Sequence, residues 1–330
     1  MGIVLYSVAI ALGFMGALTV IKYGRFFGLV DIPNNRSSHS RPTPKGGGLG
    51  ILAAFIVVAL WTGLSIWFWG AVTMVAFISL MGDRIHLSPG FRLVIQFGAA
   101  IVVVWAGIGG AITNPSYHFD MPLGLAAVAF LLVFIVGTAN IYNFMDGING
   151  IAAITGIIGF SLVAFYAFSI EDGSSEGIVC ISLAFACLGF LPFNMPKARV
   201  FMGDVGSILL GFVFAVLVSE LSRTWLEFIC LCACLFPFYA DELSTMAVRI
   251  NDGERLSKPH RRHLYQIFVN EMEISHWKVS MGYGLAQLVV GLSMLWLIHY
   301  GSIVVVSVIL VYFCLFIAFS YIVRMRLVEN

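Results

Sequence analysis

The sequence predicts an all-α, polytopic integral membrane protein, and three observations support this fold class. The chain is 60% hydrophobic and only 11% charged, whereas soluble domains carry about 25% charged residues. Its apolar segments run near-continuously over roughly 17–25 residues, as spanning helices do, and do not alternate as barrel strands do. In lipid the backbone must also satisfy its own hydrogen bonds, which leaves only helices and closed barrels.

Hydropathy predicts about eleven spans, without an internal repeat or a soluble domain. They lie at roughly 3–23, 48–64, 66–82, 92–109, 124–141, 150–169, 177–193, 205–220, 226–247, 278–298 and 302–323. We expect the first apolar run to be a retained span, because it lacks the basic flank of a signal peptide.

Charge predicts the orientation of these spans. Of the 18 Lys and Arg residues, all except Arg223 flank loops on one side. By the positive-inside rule this side is cytoplasmic, so the N-terminus is periplasmic and the C-terminus cytoplasmic. The cytoplasmic loops are expected at about 24–47, 83–91, 142–149, 194–204 and 248–277.

Two of these loops carry cationic groups that suit an anionic ligand. The first contains Arg36, His39 and Lys45 among prolines and glycines. An ordinary positive-inside loop is the alternative interpretation, and the glycines at 46–48 could equally mark close helix packing. The last loop contains His260, Arg261 and His263, a denser cluster than a plain connection requires.

Acidic and carboxamide side chains occupy the loops between these two. Asn140, Asn143 and Asp146 recur at three-residue spacing, so a helix would place them on one face. Asp83 and Asp204 lie at span ends, where a solvated loop acid and a helix N-cap are the alternatives. Magnesium is typically held by one or two carboxylates plus substrate phosphates. These groups therefore predict phosphoryl transfer between a lipid and a soluble anion.

Other site types are disfavoured. The six cysteines lie in apolar stretches without histidines nearby, so we interpret them as small buried hydrophobic residues rather than a zinc site: Cys180, Cys187, Cys230, Cys232, Cys234 and Cys314. A net charge of +1 argues against a nucleic-acid partner.

In these motifs the chain resembles the polyprenyl-phosphate N-acetylhexosamine-1-phosphate transferases, bacterial glycosyltransferase family 4, which are related to phospho-N-acetylmuramoyl-pentapeptide transferase. The pattern D-x-P-N-x-R-x-x-H begins at Asp31, and N-x-x-N-x-x-D-G-x-x-G spans Asn140–Gly150. F-x-G-D-x-G-S spans Phe201–Ser207. P-H-R-x-H-L-Y-Q at Pro259–Gln266 is most similar to the branch that initiates O-antigen and related surface polysaccharides.

The resemblance implies a single transmembrane transferase domain over the whole chain, with its active-site cleft on the cytoplasmic face of the bacterial inner membrane. Undecaprenyl phosphate would attack the sugar-bearing phosphorus of a UDP-N-acetylhexosamine or a 6-deoxy analogue and release UMP. The implied cofactor is Mg²⁺, with Mn²⁺ as a substitute, and a homodimer is left open.

The resemblance also implies the role of each site residue. Asp204 and Asp83 would hold the metal and act in catalysis together with His260 and His263. The implied substrate-binding residues are Asn140, Asn143, Asp146, Arg36, His39, Lys45 and Arg261.

One position departs from the family pattern. Members of the family carry an Asp-Asp pair at the end of the third span, and here the pair is Gly82-Asp83. If the missing carboxylate were a general base, its loss would lower the rate roughly 10²–10⁴-fold. A phosphate monoester of second pKa near 6 is largely dianionic at pH 7 and needs little deprotonation. We therefore expect reduced activity rather than none.

Three other interpretations compete with this one. A membrane transporter would place ionisable groups in mid-span, but here they gather on one face. A catalytically impaired member or regulatory pseudoenzyme is favoured only by Gly82. A CDP-alcohol phosphotransferase requires D-G-x-x-A-R, whereas Asp146-Gly147 is followed by Ile148-Asn149-Gly150-Ile151, so we reject that class.

Overall fold

The computed structural model describes residues 2–33, 41–85, 87–113, 124–170, 174–255 and 260–328. These ranges form a helix bundle with two short paired strands, β1 (Val30–Asp31) and β2 (Thr43–Pro44). The helices are α1 (Gly2–Tyr23), α2 (Leu49–Thr62), α3 (Ile66–Arg84), α4 (Pro89–Thr113), α5 (Leu125–Met145), α6 (Ile151–Ala167), α7 (Ser174–Asn194), α8 (Asp204–Leu221), α9 (Trp225–Cys232), α10 (Phe236–Asn251), α11 (Leu264–Asn270), α12 (His276–Leu297) and α13 (Ser302–Val328).

The prediction of a polytopic helical membrane protein is confirmed. Within the described ranges, eight helices are long and apolar enough to cross a bilayer, and α2 and α6 are shorter apolar helices. The count of about eleven spans stays a prediction, because length and composition alone support eight.

The segment predicted as the ninth span, about 226–247, is broken rather than continuous. A 3₁₀ turn at Ala233–Leu235 separates α9 from α10. Pro237 accounts for the break, because proline has no N–H to donate to the preceding turn. Gln287 of α12 donates through Nε2 to the carbonyl of Cys234 at 2.7 Å. A side chain therefore satisfies a backbone carbonyl at the break between the two helices.

Helix α8 lies at the centre of the bundle. In an apolar stretch of 18 residues, 89% of the residues of α8 are buried, compared with 6% in the corresponding stretch of α13. It packs against α2, α3 and α5, and it is apolar nearly all round, as an interior helix should be. Its first residue, Asp204, therefore lies close to where α3 and α5 end.

Two chain segments meet in what we call the glycine seam, residues 44–48 against 201–206. Phe201 donates its backbone N–H to the carbonyl of Pro44 at 2.8 Å, and Gly47 donates to the carbonyl of Phe201 at 2.9 Å. A Cβ on Gly48 would lie 2.4 Å from the Cα of Gly206, so the backbones of the two segments are in direct contact. The alternative interpretation of the glycine triplet as a packing site is thus confirmed at Gly48.

We expect Gly48→Ala to lower the melting temperature of the purified protein in detergent. The added methyl group would force the two backbones of the seam apart, and overpacking of this kind costs about 1–3 kcal/mol. Gly70→Ala is the matched control, because a Cβ there has its nearest neighbour at 3.9 Å, on Ile66. That variant should melt at the same or a higher temperature, since alanine favours helices over glycine. Equal melting of both variants would contradict the close-packing assignment.

Candidate active site

A cavity of about 320 Å³ lies at the end of the bundle where α3 and α5 stop and α8 begins. Each of the five predicted cytoplasmic loops contributes to its lining, so segments far apart in sequence converge on one site. The lining residues are Asp31, Lys45, Asp83, Asn143, Asp146, Gly147, Ile148, Asn149, Asn194, Phe201, Gly203, Asp204, Gln266 and His276.

Asp83 and Asp204 lie side by side in this cavity. The backbone N–H of Asp204 donates to Oδ2 of Asp83 at 3.1 Å, and Nζ of Lys45 lies 3.2 Å from Oδ1 of Asp83. On the other side, Arg92 of α4 forms a hydrogen-bonded ion pair with Asp204 through Nη1. The two neighbouring acids are thus flanked by two bases, and the four formal charges cancel. We call these four side chains the charge quartet.

The backbone at Gly203 makes this arrangement possible. Its φ of 74° is in the left-handed region that favours glycine. A Cβ at this position would also lie 2.9 Å from Oδ2 of Asp83 and 2.8 Å from the backbone nitrogen of Gly46. A side chain at 203 would therefore separate Asp83 from the first turn of α8.

The Asn140–Gly150 motif contributes further residues to the lining of the cavity, among them Asn143 and Asp146. Ser207 of α8 donates its hydroxyl to Oδ1 of Asn143 at 2.7 Å, which fixes that carboxamide beside Asp146. Loss of hydration raises the pKa of Asp146 well above its usual range, and the carboxylates of Asp204 and Asp83 raise it further. Negative charge is thus crowded here, and a cation bound in the cavity would relieve it.

Asn140 lies apart from these two residues, although the three-residue spacing placed it on the same face. Its Nδ2 donates to Oε1 of the buried Gln96 at 2.6 Å and to the carbonyl of Val136 at 2.8 Å. Asn140 is absent from the described residues that line the cavity. In this structure its visible role is to join α4 to α5, and substrate binding by Asn140 stays a prediction.

Neutral polar groups line another part of the cavity. The backbone N–H of Asn149 donates to Nδ1 of His276 at 3.2 Å, so the proton of a neutral imidazole is on Nε2. The N–H of Gly150 donates to Oδ1 of Asn194 at 2.6 Å. These bonds hold the 147–150 turn against α7 and α12, and they leave this wall without a formal charge.

The loop that carries His260, Arg261 and His263, which we call the histidine loop, is anchored by Asp241. Sequence reasoning did not single out this residue. Asp241 is fully buried in α10. Its carboxylate accepts from the backbone N–H groups of Leu264 and Tyr265, at 2.8 Å and 3.2 Å, and from the Tyr283 hydroxyl at 2.6 Å. The Tyr265 hydroxyl in turn donates to the carbonyl of Phe144 at 3.0 Å. Asp241 thus connects the histidine loop to the turn that carries Asp146.

His263 faces the acids of α10. It is 3% exposed, with Nδ1 3.8 Å from Oδ1 of Asp241 and Nε2 3.5 Å from Oε2 of Glu242. Among the described residues that line the cavity, none is His260, Arg261 or His263. Gln266 of the same motif does line it. The catalytic roles of the two histidines and the binding role of Arg261 stay predictions.

The charge of the histidine loop is lower than its sequence indicates. Burial, with a smaller contribution from the neighbouring His263, lowers the pKa of His260 to about 4, so this imidazole is neutral at pH 7. Arg262 is committed to acids at the end of α10, with Nη2 2.6 Å from Asp252 and Nη1 2.7 Å from Glu254. The charge that His260 and Arg262 offer to an anionic ligand is therefore small.

The structure thus brings together Lys45, Asp83, Asn143, Asp146 and Asp204 of the predicted site. Arg36 and His39 lie outside the described residues. The cavity or its charge quartet also includes Arg92, Asn149, Asn194 and His276, which sequence reasoning missed. Asn149 is inside a motif quoted above, and Arg92 has no comparable local signal.

The donor set fits a magnesium ion of the kind that substrate phosphates complete. Asp83 and Asp204 supply two adjacent carboxylates, and Asp146 and the Asn143 carboxamide line the same cavity. Among the described residues no group of three or more His, Cys, Asp or Glu side chains is arranged as a ready-made metal site. Mg²⁺ does not require one, because it keeps several waters and binds one or two carboxylates plus phosphate oxygens.

His260 should titrate far below a free histidine. In the unfolded chain it takes a proton below about pH 6.5, but in the folded protein only below about pH 4. The neutral His260 therefore contributes stability that is present above pH 6.5 and lost as the pH falls through 4. The ¹³Cε1 resonance of His260 is assigned as the one that the His260→Gln spectrum lacks. In the wild-type protein we expect the pH titration of this resonance to have its midpoint near pH 4. A midpoint near 6.5 would contradict the loss of hydration and the repulsion from His263 that lower the pKa of His260.

Comparison with known proteins finds one matching family model and several similar proteins. A family model described as glycosyl transferase family 4 matches residues 65–222. Over 191 residues the chain is 37% identical to phospho-N-acetylmuramoyl-pentapeptide-transferase of Staphylococcus saprophyticus, covering 54% of this chain and 56% of that protein. Over 317 residues it is 28% identical to the probable undecaprenyl-phosphate N-acetylglucosaminyl 1-phosphate transferase of Bacillus subtilis, covering 92% and 84%.

A third relative, phospho-N-acetylmuramoyl-pentapeptide-transferase of Staphylococcus aureus, is 29% identical over 284 residues, which cover 77% of this chain and 85% of that protein. The chain thus spans little more than half of the S. saprophyticus protein and most of the other two. The family match and these similarities agree with the motifs around Asp83, Asp146 and Asp204, and they support the resemblance of the chain to the polyprenyl-phosphate sugar-1-phosphate transferases.

Proposed function

We propose that the protein transfers a sugar 1-phosphate from a UDP-sugar to undecaprenyl phosphate, giving undecaprenyl-diphospho-sugar and UMP. The observation that carries the proposal is that Asp83, Asp146, Asp204 and Lys45 line one cavity at the end of a membrane helix bundle, with Arg92 paired to Asp204. Such a position is accessible both to a lipid phosphate at the bilayer surface and to a soluble nucleotide. The name of the B. subtilis relative supports undecaprenyl phosphate as the acceptor and a sugar 1-phosphate as the transferred group.

The reaction requires charge control more than proton transfer. An oxygen of the lipid phosphate attacks the sugar-bearing phosphorus, the bond from that phosphorus to the bridging oxygen breaks, and its electron pair leaves with UMP. Because the lipid phosphate is largely dianionic at pH 7, no side chain must remove a proton first. Asp204 and Asp83 would hold Mg²⁺, which when bound supplies neutralisation of the diphosphate charge.

The basic residues and the uncharged residues of the site would bind different parts of the substrates. Lys45 and Arg92 offer cationic donors for phosphate oxygens. Asn149, Gln266 and His276 carry no formal charge in the states inferred here, and they suit the uncharged parts of the donor, its uracil or its sugar. The sugar is an N-acetylhexosamine or a 6-deoxy-N-acetylhexosamine in this proposal.

The cellular setting completes the proposal. The positive-inside pattern supports a position of the cavity on the cytoplasmic face of the bacterial inner membrane. The P-H-R-x-H-L-Y-Q motif supports the initiating step of O-antigen or another envelope polysaccharide. Whether the enzyme acts as a homodimer is a separate question, which the oligomeric state in detergent answers.

Purified full-length protein should release UMP from at least one UDP-N-acetyl sugar, in a reaction that needs both undecaprenyl phosphate and Mg²⁺. Asp204→Asn should lower the rate by about 10²-fold or more, because phosphoryl transfer depends on electrostatic stabilisation. Glu271→Gln removes an exposed acid outside the cavity lining and is the matched control. Release of UMP that persists without lipid or in Asp204→Asn would contradict the proposal.

Gly82→Asp should raise turnover sharply if position 82 limits catalysis. The structure has room for the change, because a Cβ on Gly82 would lie 3.5 Å from its nearest neighbour, Cδ of Arg92. Gly82→Ala is the control that adds the Cβ without the carboxylate. Activity that appears only in Gly82→Asp would identify the native chain as an impaired member of the family. Equal turnover in all three proteins would refute a limiting role for this position.

A further inference from the structure

Gly82 and Arg92 are neighbours, and this gives the departure from the family pattern a physical meaning. The Arg92 side chain passes the position where residue 82 would carry a side chain, at 3.5 Å from the ideal Cβ to Cδ and 3.9 Å to Nη1. The same Nη1 forms the ion pair with Asp204. A carboxylate at 82 would therefore be within reach of the guanidinium that now pairs with Asp204.

We propose that Arg92 is an internal counter-cation of Asp204 that a divalent metal ion must displace, and that Gly82 favours Arg92 in this competition. The inference rests on the proposed role of Asp204 as a metal ligand. It concerns metal affinity in the absence of both substrates, which is separate from whether the transfer reaction occurs.

The competition follows from where the two cations would sit. Arg92 occupies Oδ2 of Asp204, and a magnesium ion binds a carboxylate oxygen at about 2.0–2.1 Å. A guanidinium and a dication on one carboxylate repel each other, so binding of the metal requires Arg92 to withdraw. Because the Arg92 side chain is 32% exposed, it has solvent into which it can move.

The other half of the charge quartet does not offer the metal an easier position. Asp83 is only 6% exposed, with Lys45 on Oδ1 and the backbone N–H of Asp204 on Oδ2. Both carboxylates are thus already neutralised by basic side chains. Because residue 82 is glycine, it supplies no carboxylate that could form a second ion pair with Arg92. The positive charge of the guanidinium therefore acts on Asp204.

The test measures binding of Mn²⁺ alone, by the loss of its six-line electron paramagnetic resonance signal, to purified full-length protein in detergent. Arg92→Gln keeps a polar side chain but removes the positive charge, and it should tighten Mn²⁺ binding about 3- to 30-fold. Arg84→Gln removes an exposed charge two residues from Gly82 and should leave the affinity unchanged. Asp204→Asn should abolish the same binding. Melting temperatures measured without metal verify that each variant is folded.

Gly82→Asp should also tighten Mn²⁺ binding, and Gly82→Ala should not. If residue 82 acts through Arg92, the double variant Arg92→Gln/Gly82→Asp should bind no more tightly than Arg92→Gln alone. Additive tightening would mean that the new carboxylate binds the metal directly, which overturns the part of the proposal that concerns Gly82. Unchanged or weaker binding in Arg92→Gln, or full binding in Asp204→Asn, would overturn the whole.

The outcome is independent of the transfer reaction. Tighter Mn²⁺ binding in Arg92→Gln supports the counter-cation even if no UDP-sugar gives UMP. Conversely, UMP release with unchanged Mn²⁺ affinity supports the proposed function and refutes the counter-cation.

Discussion

The site depends on the backbone contact between residues 44–48 and 201–206. Hydrogen bonds from Phe201 and Gly47 join the two segments, and Gly48 lets its backbone touch that of Gly206. This contact places Lys45, at the end of one loop, beside the first turn of α8. Asp83 then reaches both Lys45 and the N–H of Asp204. Without that contact, the segments that carry the carboxylates and their basic partners would not be brought together in space.

A second constraint comes from the pairing of charges around this contact. Buried or half-buried carboxylates are tolerated only when they are paired or hydrogen-bonded. Lys45 and Arg92 satisfy this condition for Asp83 and Asp204, whereas loss of hydration raises the pKa of Asp146. The charge quartet is therefore electrically balanced, and a metal ion or substrate that binds to it must replace existing ion pairs.

The sequence allowed much of this arrangement to be predicted, for identifiable reasons. Apolar run length determined the helices, and dense local motifs identified Asp83, Asp146 and Asp204. Arg92 and Asp241 were missed because their partners are distant in sequence: Arg92 and Asp204 are separated by 112 positions. Helical spacing predicts that Asn140 shares a face with Asn143 and Asp146, but it does not predict that the Asn140 carboxamide donates to Gln96 of another helix. The break in the ninth predicted span was missed because hydropathy is insensitive to a proline-interrupted hydrogen-bond pattern.

That break has a consequence for how the chain enters the membrane. The Cys234 carbonyl accepts a hydrogen bond from Gln287, 53 positions later in the chain. A lipid environment leaves an unsatisfied carbonyl at a cost of several kcal/mol. During synthesis, the α9–α10 segment therefore reaches the bilayer before the side chain that completes it. Its stable insertion is coupled to the arrival of α12, so these two parts of the bundle should leave the translocation machinery as one unit.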